Sequence, residues 1–580
     1  MTARDSPPRE VFAMQYDTSS VLPETVPFIE NARRLSEDEP PHLIAPNIAV
    51  LFARRAADTP DRPFLTYYEE TGKVAEYSYS AFYIAVRRLA AQMRQELGLN
   101  VGDRIATLRG NDPYTAAIYF AAWFAGLTVV PINCGEDDER VKYILENSEA
   151  RVIFAAEAQD TRLARVTPSG CLTRITRSSG AVSEYELDTD GSEHQLPDPD
   201  PSITASTEAL LVYTSGTTGP PKGVLLEQSN LLTDAHSIAE WHRFGAADRA
   251  MCVLPIHHVN GTVVTLMTPL YSGGTIVLHR KFHVKTFWQS LSQEHCTWVS
   301  VVPTLLAFLC ESGDDLSNHD LSRFRHFICG AGPLTTELAH RFDTQFGLRV
   351  VHGYGLSETT CYSCFLPIDL DSAAYRSWMF EQGFPSIGCA ISANEMAIHS
   401  ENGGEMEEGS RGEIVARGPN VMKYYFKRPD ANRDTFAHGW FRSGDEGFYR
   451  TGEDGRKYYF ITGRIKELII RGAVNYSPFD IDEVLNAIPG VRAAMAVGFD
   501  NAVYGEEIGA YVQREPGSAV NEADVIAACR AKLPFAKCPK VVLFGDSFPV
   551  TSTGKYQRNK LKPLFEQWRN TQFRDAKPRR

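Results

Sequence analysis

Thr214-Ser215-Gly216-Thr217-Thr218-Gly219-Pro220-Pro221-Lys222-Gly223 is the stretch on which the reading of this chain turns. The glycines let the backbone aim successive N–H groups inward. The hydroxyls of Thr214, Ser215, Thr217 and Thr218 add donors, and Lys222 adds a fixed positive charge. Such a run is suited to cradling a polyphosphate. It is not a Walker loop, because Gly223 follows Lys222 where Ser or Thr would be needed to hold Mg²⁺. Short apolar runs flank it, Leu210-Leu211-Val212-Tyr213 before and Val224-Leu225-Leu226 after, so the loop is expected to join two strands. A polar surface loop would account for Ser-Gly-Thr alone. It does not account for hydroxyls, lysine, glycines and prolines crowded together.

On either side, helix and strand signals alternate. Residues 81–97 are amphipathic, and residues 104–108 and 150–154 are strand candidates. After the loop come a helix near 230–241 and strands near 250–254 and 275–278. This alternation predicts parallel sheet with helices on its faces. Residues 114–132 are apolar enough to suggest a membrane span. However, Asp112 and Pro113 signal a helix start, Gly126 a stop, and Thr128-Val129-Val130 a buried strand. From about Ile387, strand candidates at 395–399, 412–417 and 457–461 alternate with Gly-rich turns, predicting an antiparallel, barrel-like subdomain. Beyond Arg464 the pattern is again mixed α and β, ending in a basic helix. The first forty or so residues are rich in Pro, Ser and acids, and are expected to form an extended arm.

A chain of 580 residues exceeds one core, so two or more domains are expected. The formal charge of −13 argues against nucleic acid as a partner. The eleven cysteines are scattered and the first residues lack a signal-like apolar run, which points to a reducing cytoplasm. Cys361 and Cys364 have CxxC spacing without a second pair, and read as two buried thiols.

Four further pieces carry chemistry. Gly353-Tyr354-Gly355-Leu356-Ser357-Glu358 follows a strand candidate at 348–351, where open α/β sheets bind ligands. Tyr354 can lie flat on a base, Ser357 can reach a phosphate and Glu358 can hold Mg²⁺; alone, the pattern is also that of an ordinary turn. Asp445, after Ser443-Gly444, can accept both ribose hydroxyls or merely close an Asx-turn. Thr462-Gly463-Arg464-Ile465-Lys466-Glu467 leads into a strand. Thr551-Ser552-Thr553-Gly554-Lys555 sets a lysine on a glycine turn, either to reach a phosphate or to stay solvated.

Together and in this order, these pieces resemble the adenylate-forming superfamily of acyl-CoA synthetases, firefly luciferase and peptide-synthetase adenylation domains, over residues 43–564. The resemblance implies an α/β fold. A large N-terminal domain (43–463) would combine two α/β layers with a distorted β-barrel, preceded by the arm (1–42). A small, mobile α+β C-terminal domain (464–580) would turn on a hinge near Lys466. Thr214, Ser215, Gly216, Thr217, Thr218, Gly219 and Lys222 would grip the ATP phosphates. Tyr354 and Gly355 would meet adenine, with Gly330, Ala331 and Gly332 beside them. Ser357 would touch the α-phosphate, Glu358 would hold Mg²⁺, and Asp445 with Arg464 would bind the ribose. Lys555 would bridge carboxylate and α-phosphate, and His258 would stand at the mouth of the acyl site, with His257 packed or at the surface.

The implied reaction makes an acyl-adenylate from ATP and a carboxylic acid, then a thioester with coenzyme A. An alternative acceptor is the phosphopantetheine of a separate acyl carrier protein; a non-catalytic nucleotide-binding protein is a third reading. Val259, Asn260, Gly261, Val301, Val302 and Gly330 are candidate pocket walls, favouring an aliphatic or aryl acid over an amino acid. Asp234 reads as a solvated first-turn residue. Three departures stand out: Ala473 and Tyr424 each occupy a position where the family often has Gly, and the arm is long.

Overall fold

The apolar runs flanking the phosphate loop pair with each other. Glu208–Thr214 and Lys222–Glu227 form an antiparallel hairpin in which Thr214 lies opposite Lys222. This is seen in a computed structural model that describes residues 16–36, 41–176, 186–189, 196–214, 220–472, 474–550 and 556–573. Ser215 to Gly219, Ala473 and Lys555 lie outside the described residues.

The hairpin belongs to a seven-stranded sheet. Next to Glu208–Thr214 runs Thr128–Pro131, then Arg104–Leu108, Val152–Ala156 and Leu172–Thr176, all parallel. The apolar stretch from 114 onward supplies this layer, not a membrane. Asp112 caps the helix Pro113–Phe124 by accepting from the Thr115 N–H, and Gly126 takes the left-handed φ of 71° that turns the chain into the strand. Among the described residues no helix is long and apolar enough to cross a membrane.

A second sheet of nine strands carries Arg249–Cys252, Trp298–Val301, His326–Cys329 and Val350–Tyr354 in parallel at its centre. The carboxyl ends of the last three lie side by side, which is where open sheets hold ligands. The four antiparallel strands Glu395–His399, Gly412–Arg417, Phe441–Thr451 and Lys457–Arg464 form the separate subdomain expected. The last of them runs on to Arg464, which places that residue opposite Asp445.

The C-terminal part has its own five-stranded sheet and its own apolar core around Ile481, Leu485, Ile508 and Val525. It meets the larger part through polar contacts: Arg411 to Asp480 at 2.8 Å, Arg492 to Glu311, and the Thr336 N–H donating to Glu483 at 3.1 Å. The segment expected as a basic helix is a 3-10 helix, Arg558–Trp568, because Pro563 breaks the α pattern.

The expected extended arm is corrected in its described part. Val26–Ala32 is helical, and the segment is packed on the molecule. Arg33 pairs with Glu227 in a buried salt bridge, Ser20 accepts from Asn432 and Lys427, and Asn31 donates to Gly439. Its seat explains Tyr424, which is buried with its ring 6.1 Å from that of Tyr16. A glycine there would leave the arm without an aromatic surface to dock on.

Candidate active site

Asp445 is the centre of one half of the site. Gly444, at φ 74°, turns the strand so that the Asp445 carboxylate points inward, and the side chain is buried. The Tyr354 hydroxyl donates to its Oδ2 at 2.7 Å, and Arg464 Nε lies 3.1 Å from Oδ1. Burial pushes the Asp445 carboxyl upward while Arg464 opposes it, and the same pairing raises Arg464. A buried carboxylate held by a tyrosine and an arginine is poised to accept the paired hydroxyls of a ribose.

The glycines beside Tyr354 are needed for close approach. A Cβ on Gly355 would lie 2.0 Å from the Cys361 carbonyl, and one on Gly330 would lie 2.7 Å from the Gly353 carbonyl. Between Gly330 and Gly332, Ala331 takes a left-handed φ of 63°, a strained conformation of the kind found where a ligand is gripped.

The second half is organised by Tyr425, the neighbour of Tyr424, to which the sequence reading assigned no role. Its hydroxyl donates to Glu358 Oε1 at 2.7 Å, and its ring lies 4.0 Å beneath the Lys222 ammonium. Burial lowers the Lys222 pKa, and Glu358 partly offsets this, so the two charges share one field; Lys466 contributes a like charge. Asn432 clamps the Tyr425 backbone, accepting from its N–H at 2.7 Å and donating to its carbonyl at 2.8 Å. The same amide donates to the Ser20 carbonyl of the arm at 2.8 Å. Ser357 and Glu358 occupy the short 3-10 turn after Val350–Tyr354, which brings both halves to one sheet edge.

Glu358 fits a hard cation shared with phosphates. It offers a carboxylate with one oxygen held by Tyr425, and no group of three or more metal-ligating side chains exists among the described residues. Mg²⁺ at nucleotide sites takes one or two carboxylates plus phosphate oxygens and water.

His258 is half-buried two residues before Asn260. His257 is packed, with burial pushing its pKa to about 4. The expected pocket walls Val259, Asn260, Gly261, Val301, Val302 and Gly330 are all buried. Asp234 is corrected: it is fully buried, accepting from Asn420 Nδ2 at 2.9 Å, and ties its helix to the 420 loop. All eleven cysteines are free, and Cys361 and Cys364 are buried as read.

Comparisons with known proteins place the chain in a family. The profile of the AMP-binding enzyme family matches residues 52–426, and that of the AMP-binding enzyme C-terminal domain matches 480–555. The chain is 34% identical to the sulfoacetate–CoA ligase of Cupriavidus necator over 520 residues, covering 89% of this chain and 97% of that one. It is 30% identical to the oxalate–CoA ligase of Arabidopsis thaliana, covering 83% and 92%. The ATP-bound structure of MatB from Rhodopseudomonas palustris superposes with a TM-score of 0.77 at 27% identity, covering 90% of this chain and 99% of that one. The chain belongs to the AMP-binding enzyme family, and within it to the AMP-forming ligases that join an acid to coenzyme A with ATP and Mg²⁺.

Proposed function

We propose that the two tyrosine-held carboxylates divide the nucleotide between them, Asp445 and Tyr354 taking the nucleoside and Glu358 with Lys222 the phosphates. The observation that carries this reading is Tyr425, which joins the cation-holding carboxylate to the phosphate-loop lysine through one side chain. A carboxylate attacking the α-phosphorus must approach a polyanion. Lys222 offsets part of that charge, and the loop amides and Lys555 would do the same around the phosphates. Glu358 would hold Mg²⁺, whose charge would offset that of the phosphates.

The resulting mixed anhydride is open to hydrolysis, so the half-buried setting of Tyr354 and the packed wall beyond His258 help to keep water out. For the second step the C-terminal domain, from about residue 464, would turn near Lys466 to withdraw Lys555 and admit the thiol. The polar contacts at Asp480, Glu483 and Arg492 support this: such a seam separates at far lower cost than an apolar one. We take the acid to be aliphatic or aryl, since Asp234 is sequestered by Asn420. Coenzyme A is the acceptor we favour over a carrier protein, and the free cysteines support a reducing, cytoplasmic setting.

Acid-dependent ATP–pyrophosphate exchange, followed by thioester formation with coenzyme A and a holo-carrier in parallel, tests the proposal. Exchange that is independent of any acid, or absent with every acid, would overturn it.

A further inference from the structure

Two residues past His258, the side chain expected at the mouth of the acyl site, Asn260 begins a bonded polar chain. Ser300 Oγ donates to Asn260 Oδ1 at 2.7 Å, and Asn260 Nδ2 donates to the Tyr362 hydroxyl at 3.2 Å. Ser300 stands near the carboxyl end of Trp298–Val301, Gly330 follows His326–Cys329, and Gly353 is in Val350–Tyr354. These three strands are neighbours, and Tyr362 crosses their ends. A Cβ on Gly330 would lie 2.6 Å from its hydroxyl, and one on Gly353 would lie 2.9 Å from its ring. Phe365 backs the ring at 4.3 Å between centroids. Tyr362, Asn260 and Ser300 are only 2%, 3% and 0% exposed, so they fill this space and do not line an open channel.

That arrangement discriminates between kinds of acid. A hydrocarbon tail running past Asn260 must part the Asn260–Tyr362 bond and strand buried polar groups. Stranding a buried polar group costs more than burying a single methylene returns. A short acid stops before the chain, and a polar group at its far end meets donors and acceptors there. We propose, resting on the ligase reading, that this site selects a short acid bearing a second polar or anionic group. Tyr362 sets its depth, and Asn260, held from behind by Ser300, faces its far end.

The test is kcat/KM in the exchange assay for malonate and sulfoacetate against butyrate, hexanoate and decanoate. Wild type is expected to favour malonate or sulfoacetate over butyrate by about 10-fold or more, and to reject decanoate. Tyr362→Ala should gain hexanoate and decanoate while the KM for ATP stays unchanged. Tyr362→Phe keeps the ring, so it should still reject decanoate yet lose much of the preference for the polar acid. Asn260→Leu should raise the KM for the polar acids by more than it raises that for butyrate. Wild type that uses decanoate as well as malonate would overturn the inference while leaving the ligase reading intact. So would a folded Tyr362→Ala or Tyr362→Phe protein with the wild-type acid profile. Exchange with no acid at all would overturn the ligase reading, and this inference with it.

Discussion

Replacing Tyr425 with Phe removes one hydroxyl and keeps the ring, which separates its two contacts. The lost bond is a 2.7 Å donation to the Glu358 carboxylate. A hydrogen bond to a charged group is worth about 1.5–3 kcal/mol, equivalent to roughly 10- to 150-fold in an equilibrium. Glu358 stays in place through the Met422 N–H, which donates to its carbonyl at 2.7 Å, so only the carboxylate loosens. The lower end of that range applies, about a 10-fold rise in the Mg²⁺ concentration for half-maximal exchange. Lys222 keeps its aromatic partner, so ATP binding measured calorimetrically in EDTA should be unchanged. Tyr425→Leu removes both contacts and should weaken Mg²⁺-free ATP binding by a further several-fold, as expected for a cation–π contact of about 0.5–2 kcal/mol. Two results would refute the reasoning: a Phe variant with the wild-type Mg²⁺ response, or a Leu variant that binds ATP in EDTA as tightly as the Phe variant.

Three other expectations address different parts of the molecule. Lys555→Ala should lower adenylation by roughly 100-fold or more while still converting a supplied acyl-adenylate to thioester; equal loss in both half-reactions would argue against a moving domain. Tyr424→Gly should destabilise the large domain by about 3 kcal/mol in urea unfolding and speed tryptic cleavage after Arg33 and Arg34, and unchanged digestion would show that the aromatic seat does not hold the arm. Glu483, half-buried between the two domains beside Asp482 and Glu337, has its pKa raised to about 8 by desolvation. A carboxyl raised on docking favours the docked state most fully below its free value near 4.5, and that contribution falls away as pH rises through about 8. Small-angle scattering should therefore show the wild-type particle expanding between pH 6 and pH 9. Glu483→Gln, which cannot ionise, should stay compact over the same range, and an identical expansion in both proteins would count against Glu483 as the cause.

Much of this site was legible in the sequence because its parts follow strands. Glycines and an acid just past an apolar run announce a ligand-facing sheet edge, and so Tyr354, Glu358 and Asp445 could be named as candidates. The helix at Pro113–Phe124 was equally plain, since its start, stop and following strand are all local signals. What stayed hidden depends on pairings across long stretches of chain. Tyr425 matters because of Glu358, 67 residues earlier, and Asn432 is held by Ser20, 412 residues away. No periodicity reports such contacts. Asp234 misled for the same reason: a polar residue near a helix start looks solvated until Asn420 is brought against it.

The docked arm has a practical consequence for anyone handling this protein. Trimming the chain to begin at the helix Ile48–Asp58 would strip the cover from Tyr424 and leave Glu227 without its arginine. It would also slacken the amide that steadies Tyr425. A shortened version could therefore be recovered intact and still respond sluggishly to metal, a defect easily blamed on the wrong end of the polypeptide. Purification handles belong at the carboxyl terminus.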